Sequence, residues 1–407
     1  KLYAEKEQYK LYHGSMLDML EVIEPNTIDS IVTDPPYELG FMGKSWDNTG
    51  IAFKQETWEK CFEVLKPGGY LLAFGGTRTY HRIACAIEDA GFEIRDCIMW
   101  LYGSGFPKSL NISKALESKI KYGSSHSTML KRIEQDGNGK SYKLKGKNNG
   151  IMGETVIVDR KEYTPSIDIA KQWEGFGTAL KPAYEPIIVA RKPFKGSVAE
   201  NIMNYGVGGI NIDECRIATD ELKPQKSGNT SLMGGLRNDD TNGGYECMPN
   251  ELGRFPSNVI HDGSEEVCGG FPTSNKPNGS ITKKYKMNNQ VYGDYGYCNT
   301  WEAYQDSGSA SRYFYCAKAS KKDRDEGLDM FDAKYTASAE FRPNHMKKAL
   351  EGENGNPYGR WQPVKNIHPT VKPVELMQYL VRLVTPKNGI ILDCFCGSGS
   401  TGKATMF

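Results

Sequence analysis

The sequence predicts an α/β fold built on a mostly parallel sheet, and three observations predict it. Short apolar runs rich in β-branched and aromatic residues recur through the first hundred residues and return near the end. Stretches with apolar positions at helical spacing separate these runs. Glycine or proline punctuates the junctions. Parallel strands need long crossovers, and a helix in each crossover covers a face of the sheet.

The elements follow in order. "YKLYHG" (9–14) reads as a strand and "SIVT" (30–33) as a second. "KQETWEKCFEVLK" (54–66) reads as a helix that stops at Pro67-Gly68-Gly69. "YLLAFG" (70–75) is the third strand, "TYHRIACAIEDAG" (79–91) a helix ending on glycine, and "FEIRDCIMWLY" (92–102) the fourth strand. The rhythm is then lost. Residues 103–180 hold loops, one helix at "SLNISKALESKIKY" (109–122) and a polar, basic stretch. Eight Lys and Arg residues between 119 and 147 face only Glu134 and Asp136, a local net of +6. That stretch reads either as a solvated insertion or as a nucleic-acid contact. "YEPIIVARKP" (184–193) is another strand, and residues 196–365, rich in Gly, Asn, Ser and Tyr, form a separate module or a long insertion. Regularity returns with an amphipathic helix at "VKPVELMQYLVRLVT" (371–385), a strand at "GIILD" (389–393), and the glycine-rich turn "CFCGSGSTGKA" that opens a further helix.

Composition sets outer bounds. A chain of 407 residues has room for one large domain with insertions, or for two. No apolar run reaches the ~18 residues of a membrane-spanning helix, and no signal peptide is visible. The start at Lys1 and the stop at Phe407 both look trimmed. A formal charge of +1 means that any surface for a polyanion is a local patch. Ten irregularly spaced cysteines suggest reduced thiols and a cytoplasmic location. Only Cys394 and Cys396 lie close in sequence and no C-x-x-C occurs, so no metal is expected.

Two turns carry the chemistry. Asp393-x-Phe395-x-Gly397-Ser398-Gly399 follows a strand and precedes a helix. Glycines there allow a sharp turn and close approach of a ligand. The turn lacks the third glycine of a dinucleotide site, and Gly402-Lys403 is followed by Ala404 rather than by the Ser or Thr of a phosphate loop. It fits a small ligand bearing an ammonium, a carboxylate and an adenosine, such as S-adenosylmethionine; taken without other motifs, a plain structural turn is the commoner reading of such a sequence. The second turn is "DPPY". Two prolines cannot continue a central strand, so they fix a stiff turn at the carboxyl edge of the sheet, where open α/β folds bind ligands. Asp34 and the Pro35 carbonyl are two acceptors at fixed separation, matching the two donor hydrogens of an exocyclic amine, and Tyr37 offers a stacking face. The other reading is a strand-ending turn with a capping acid.

"DPPY" near the start and "DCFCGSGSTG" near the end resemble the amino-group DNA methyltransferases, in the order of their circularly permuted beta group. "HPTVKPVELM" (368–377) resembles the segment that precedes the glycine turn in that family. "FGTALKPAYEPIIVARKP" (176–193), "GGINIDECRI" (208–217), "SNVIHDG" (257–263) and "SASRYFYCAKASKKDRDEGL" (309–328) are similar to a branch associated with phages and prophages. The resemblance implies a Rossmann-like, circularly permuted methyltransferase sheet of seven strands, one of them antiparallel, with a large inserted target-recognition region. It implies S-adenosylmethionine as methyl donor and double-stranded DNA as partner, with the target base flipped out of the duplex. Asp34 and the Pro35 carbonyl would hold the target amino group, Pro36 would shape the turn, and Tyr37 would stack on the base. Asp393, Phe395, Gly397 and Gly399 would cradle the cofactor. Thr370, Lys372 and Pro373 would flank it, with Lys372 a partner for its carboxylate.

The expected organisation is a catalytic first part (1–118), a basic insertion (119–170), a catalytic strand (171–195), a target-recognition region (196–365) and a catalytic end with the cofactor motif (366–407). Lys283, Lys284 and Lys286 beside Tyr285, Tyr292, Tyr295 and Tyr297 mark the recognition region. No Pro-Cys dipeptide occurs, so the cysteine nucleophile of base-carbon methylation has no candidate. "DPPY" leans to adenine N6 as acceptor, with cytosine N4 the alternative and a silent DNA binder or another amide or RNA acceptor the further rivals. No nuclease motif is evident, so the chain would methylate without cutting; its oligomeric state is left open, a homodimer included. His13-Gly14-Ser15 stands where the family often has Gly-Asp, and Cys394 where it commonly has proline.

Overall fold

Among the residues described, seven strands pair into one sheet. In chain order they are β1 (Ile28–Thr33), β2 (Leu65–Phe74), β3 (Glu93–Leu101), β4 (Tyr184–Arg191), β5 (Val259–His261), β6 (Tyr315–Cys316) and β7 (Ile391–Leu392). Their spatial order is β6-β5-β3-β4-β2-β1-β7. Strand β4 runs antiparallel to both neighbours, and every other neighbouring pair is parallel. This computed structural model describes residues 2–40, 47–105, 109–125, 141–147, 155–161, 163–219, 225–227, 245–247, 251–274, 281–284, 298–301, 308–317, 323 and 371–406.

The central strands read as unbroken apolar runs because both of their faces are buried. Val32, Leu72, Phe74, Ile187 and Val189 face one core with Leu376, Met377 and Leu380 of the helix Val374–Val384. Their neighbours Ile31, Leu71, Ala73, Ile188 and Ala190 face the other, with Trp58 and Cys61 of helix α1 (Gln55–Val64) and Ile83 and Ile87 of helix α2 (Tyr80–Asp89). The alternation is the two-residue period of a pleated strand.

Two expectations differ locally. Residues 9–12 form a two-stranded antiparallel hairpin with Leu2–Lys6 and do not join the large sheet, because a tight turn folds them back on their own neighbour. The Lys66-Pro67-Gly68-Gly69 stretch is not a separate turn but part of β2. The register jumps from Ile28↔Leu65 to Ser30↔Tyr70, so these residues bulge out of the ladder. Gly68 takes φ +81° there, and the Asn201 amide donates to Pro67 O at 2.9 Å.

The chain divides into two units. The first comprises 1–103, 184–319 and 372–407, and the second 104–183 and 320–371. The expected boundaries shift accordingly. Residue 118 falls inside helix α3 (Ile112–Tyr122), which belongs to the second unit. Strands β5 and β6 come from within the expected module 196–365, yet they are parallel strands of the main sheet. Their runs "NVIH" and "FYC" are too short to announce themselves as sheet strands. The second unit holds α3, capped by Asn111 Oδ1 accepting from Lys114 N at 2.9 Å, and a hairpin of Ser141–Lys147 with Thr155–Lys161 inside the basic insertion. No helix among the described residues is long and apolar enough to cross a membrane.

Candidate active site

The carboxyl ends of six parallel strands meet on one edge of the sheet, and the reversal of β4 brings its first residues to that same edge. The register pairs Leu101 with Tyr184 and Trp100 with Glu185. All six residues of β1 are buried, and Asp34, half-buried, is the first residue beyond them. Pro35 and Pro36 then prevent both strand and helix. The turn is held from outside. Thr79 Oγ1 donates to Tyr37 O at 2.7 Å, and the buried Asp47 carboxylate accepts from Glu38 N (3.0 Å) and Leu39 N (3.2 Å). Glu38 takes a left-handed φ of +55°, and its own carboxylate accepts from Gly50 N at 2.8 Å.

Strand β7 lies beside β1, with Leu392 opposite Ile31, so the glycine turn emerges next to the DPPY turn. One side chain ties the two together. Thr33 Oγ1 donates to Asp393 Oδ1 at 2.7 Å and accepts from Phe395 N at 3.2 Å, while Phe395 N also reaches Asp393 Oδ1 at 3.1 Å. Burial pushes the Asp393 carboxyl up, against the hydrogen bonds from Thr33, Thr401 and Phe395 N. Gly397 (φ +53°) and Gly399 (φ +77°) both take left-handed conformations, which glycine adopts without strain, and the short helix Ser400–Ala404 follows. Cys394 Sγ lies 3.5 Å from Cys61 Sγ of α1, a contact that anchors the turn to the neighbouring layer.

Lys372 is the departure from expectation. Its ammonium does not stand free for a cofactor carboxylate: Nζ lies 2.8 Å from Asp34 Oδ2 and 3.3 Å from Glu185 Oε2, with the side chain 6% exposed. A buried ammonium needs such partners, and two strand-end acids supply them. Burial alone would lower the Lys372 pKa, but the Asp34 and Glu185 charges outweigh it and raise it. The Tyr37 hydroxyl donates to Glu185 Oε2 at 2.8 Å, and Lys372 Nζ lies 5.2 Å from the Tyr37 ring centre. Burial, then the charges of Asp34 and Glu185, push the Tyr37 phenol well above its ordinary value. Burial and the Glu185 charge push the nearby Tyr102 phenol up to about 12, against Lys372.

The structure therefore gathers Asp34, Tyr37 and Lys372 into one cluster, with Pro35 and Pro36 as the turn between them, and places Asp393, Phe395, Gly397 and Gly399 in the adjoining turn. Pro373 precedes the helix Val374–Val384 as its N-cap. Ser15 serves as N-cap of the short helix Met16–Leu20. Thr370, Lys286, Tyr285, Tyr292, Tyr295 and Tyr297 lie outside the described residues; Lys283 and Lys284 belong to a short hairpin strand, Ile281–Lys284. Sequence reasoning missed Glu185. The available signal was an acid directly before the apolar run "PIIVA" of a strand.

The DNA methylase family pattern matches residues 28–406. The Type II methyltransferase M.HpaI of Haemophilus parainfluenzae is 34% identical over 110 residues, covering 26% of this chain and 35% of that protein. The DNA adenine methyltransferase YhdJ of Escherichia coli is 24% identical over 163 residues, covering 38% of this chain and 48% of that protein. The chain thus spans about a third and about half of the lengths of these two relatives. Among solved structures, PvuII DNA methyltransferase (cytosine-N4-specific) aligns with a TM-score of 0.34 at 11% identity, over 98% of this chain and 77% of that one. The family uses S-adenosylmethionine as its methyl donor. With the pattern covering nearly all of its length, this chain belongs to the N6/N4 DNA methylase family.

Proposed function

We propose that this chain methylates the exocyclic N6 amino group of adenine in double-stranded DNA, acting on a base flipped out of the helix. The observation that carries the reading is the stitch between the two turns: Thr33, the residue before Asp34, holds Asp393 and Phe395 of the glycine turn. A group held at Asp34 and a ligand seated on the glycine turn would therefore meet at one sheet edge.

In this reading S-adenosylmethionine, when bound, supplies an electrophilic methyl group, and Asp393, Phe395, Gly397 and Gly399 form its seat. The chain's own residues hold and orient. Asp34 and the Pro35 carbonyl accept the two N–H bonds of the target amine, which aims the nitrogen lone pair at the methyl carbon. Tyr37 contributes ring surface to the base. The extra proton on nitrogen leaves to water after the methyl has moved, so Asp34 acts as an acceptor and not as a strong base. The order of the two turns along the chain supports a circularly permuted member of the family. The parts of 196–365 outside β5 and β6, with the basic insertion at 119–170, are the proposed source of target recognition. There Lys and Arg contact phosphates and other side chains read base edges. Aspartate at position 34 favours adenine.

The test is incubation of the protein with duplex DNA and methyl-labelled S-adenosylmethionine, followed by digestion to nucleosides. Labelled N6-methyladenine is expected. Labelled N4-methylcytosine would reassign the base, and unlabelled DNA with binding intact would leave a silent DNA binder. The Asp34→Ala variant should lose about 10²–10³-fold in rate, the size of removing one preorganised polar contact to a reacting group.

A further inference from the structure

Building on the methyltransferase reading, we infer that Lys372 and Glu185 are positioning residues: Glu185 anchors Lys372, and Lys372 holds the Asp34 carboxylate in its acceptor orientation.

The geometry is a chain of contacts across three separate segments. Glu185 reaches the edge only because β4 is reversed, and its Oε2 accepts from Tyr37 at 2.8 Å while lying 3.3 Å from Lys372. Lys372 in turn lies 2.8 Å from Asp34. Both carboxylates touch the same nitrogen, so these oxygens sit within about 6 Å of each other. Their side chains are only 23% and 17% exposed. Two carboxylates so close and so poorly hydrated repel each other, and a cation between them relieves that repulsion. Asp393, one turn away, adds a third acid to the same edge, and Tyr37 and Tyr102 are the phenols that face it. Lys372 is the cation that the described residues place among them, walled by the Tyr37 and Phe74 rings at 5.2 and 5.0 Å. Removing it leaves two like charges facing each other across the site, which favours one proton shared between the two acids. A protonated Asp34 is a poorer acceptor for the target amine.

The experiment is the pH dependence of methylation for wild type, Lys372→Met, Lys372→Arg, Glu185→Gln and the double variant Lys372→Met/Glu185→Gln. S-adenosylmethionine affinity is measured for each by calorimetry. For Lys372→Met the acid limb of kcat should move up by about one pH unit or more, while cofactor affinity stays near wild type. Lys372→Arg should keep the limb close to its native position. Glu185→Gln loosens the anchor of Lys372 and should lower kcat in the same sense as Lys372→Met but by less, and the double variant should lose little more than Lys372→Met alone. Weakened cofactor binding with an unmoved acid limb would overturn the inference and return Lys372 to the cofactor. Should Lys372→Met fail to fold, Glu185→Gln decides alone: an unchanged kcat sinks the clamp. Wild-type labelling of DNA stands apart from these shifts, so a wild type that does not methylate removes the underlying reading, whereas a methylating wild type with unmoved variants removes only the clamp.

Discussion

At the scale of single residues, Thr33 does more than its place at the end of an apolar strand suggests. It is fully buried, yet its hydroxyl both donates and accepts, closing the polar demands of the Asp393 carboxylate and the Phe395 amide. Buried polar groups are tolerated only when so satisfied. Thr33→Val keeps the shape and removes the hydroxyl. It should weaken S-adenosylmethionine binding about 10-fold or more, the loss expected when a hydrogen bond to a charged group goes unmade. Calorimetric titration of the variant checks this, and an unchanged Kd would show that the stitch does not shape the cofactor seat. Asp34, by contrast, takes its importance from position: it is the first residue outside a fully buried strand, stopped there by two prolines.

At the scale of elements, strand β2 depends on one glycine. Gly68 sits at φ +81° in the bulge, and a Cβ there would lie 2.1 Å from the Asn201 side-chain nitrogen. Asn201 is itself buried and donates to Pro67 O and Val207 O, so it cannot swing away without leaving both carbonyls unpaired. Gly68→Ala should therefore destabilise the fold by about 2 kcal/mol or more, combining left-handed strain with a clash against a fixed group. A thermal melt within a degree of wild type would contradict this. The reversal of β4 matters as much. A parallel β4 would carry Arg191 to the edge that holds Asp34 and Glu185 away from it. The apolar run of β4 was legible in the sequence, but the direction of this strand was not, because apolar periodicity is the same whichever way a strand runs.

At the scale of the whole molecule, the two units carry separate electrostatic liabilities. In the second unit, the buried Glu117 carboxylate accepts from Lys121, from Tyr163 Oη at 2.9 Å and from Ser166 N at 2.9 Å. Burial pushes its pKa up, but these hydrogen bonds together outweigh burial and hold it down at about 2. A carboxylate depressed in the folded state lends stability above its ordinary value of 4.5, and that stability is lost as pH falls from there towards about 2. Hydrogen exchange at Ser166 N should accelerate over that window, and Glu117→Gln should flatten the dependence. An exchange rate independent of pH beyond the intrinsic chemistry would show that Glu117 does not hold this segment.

Much of this protein was readable without coordinates. The buried strands, the helices at 55–64, 80–89 and 374–384, and the two turns at 34–37 and 393–399 are written in local patterns. These patterns set backbone freedom, apolar period and the positions where proline or glycine forbids continuation. Tertiary structure alone decided the partners. The Lys372–Asp34 contact spans 338 residues and the Thr33–Asp393 bond 360, and neither leaves a trace in neighbouring sequence. The short strands β5 and β6 likewise become sheet only by lying beside β3 and each other. Local sequence specifies how each segment can bend and which face it must hide. Which charges then meet at the sheet edge depends on strand order and direction, which are properties of the packed whole.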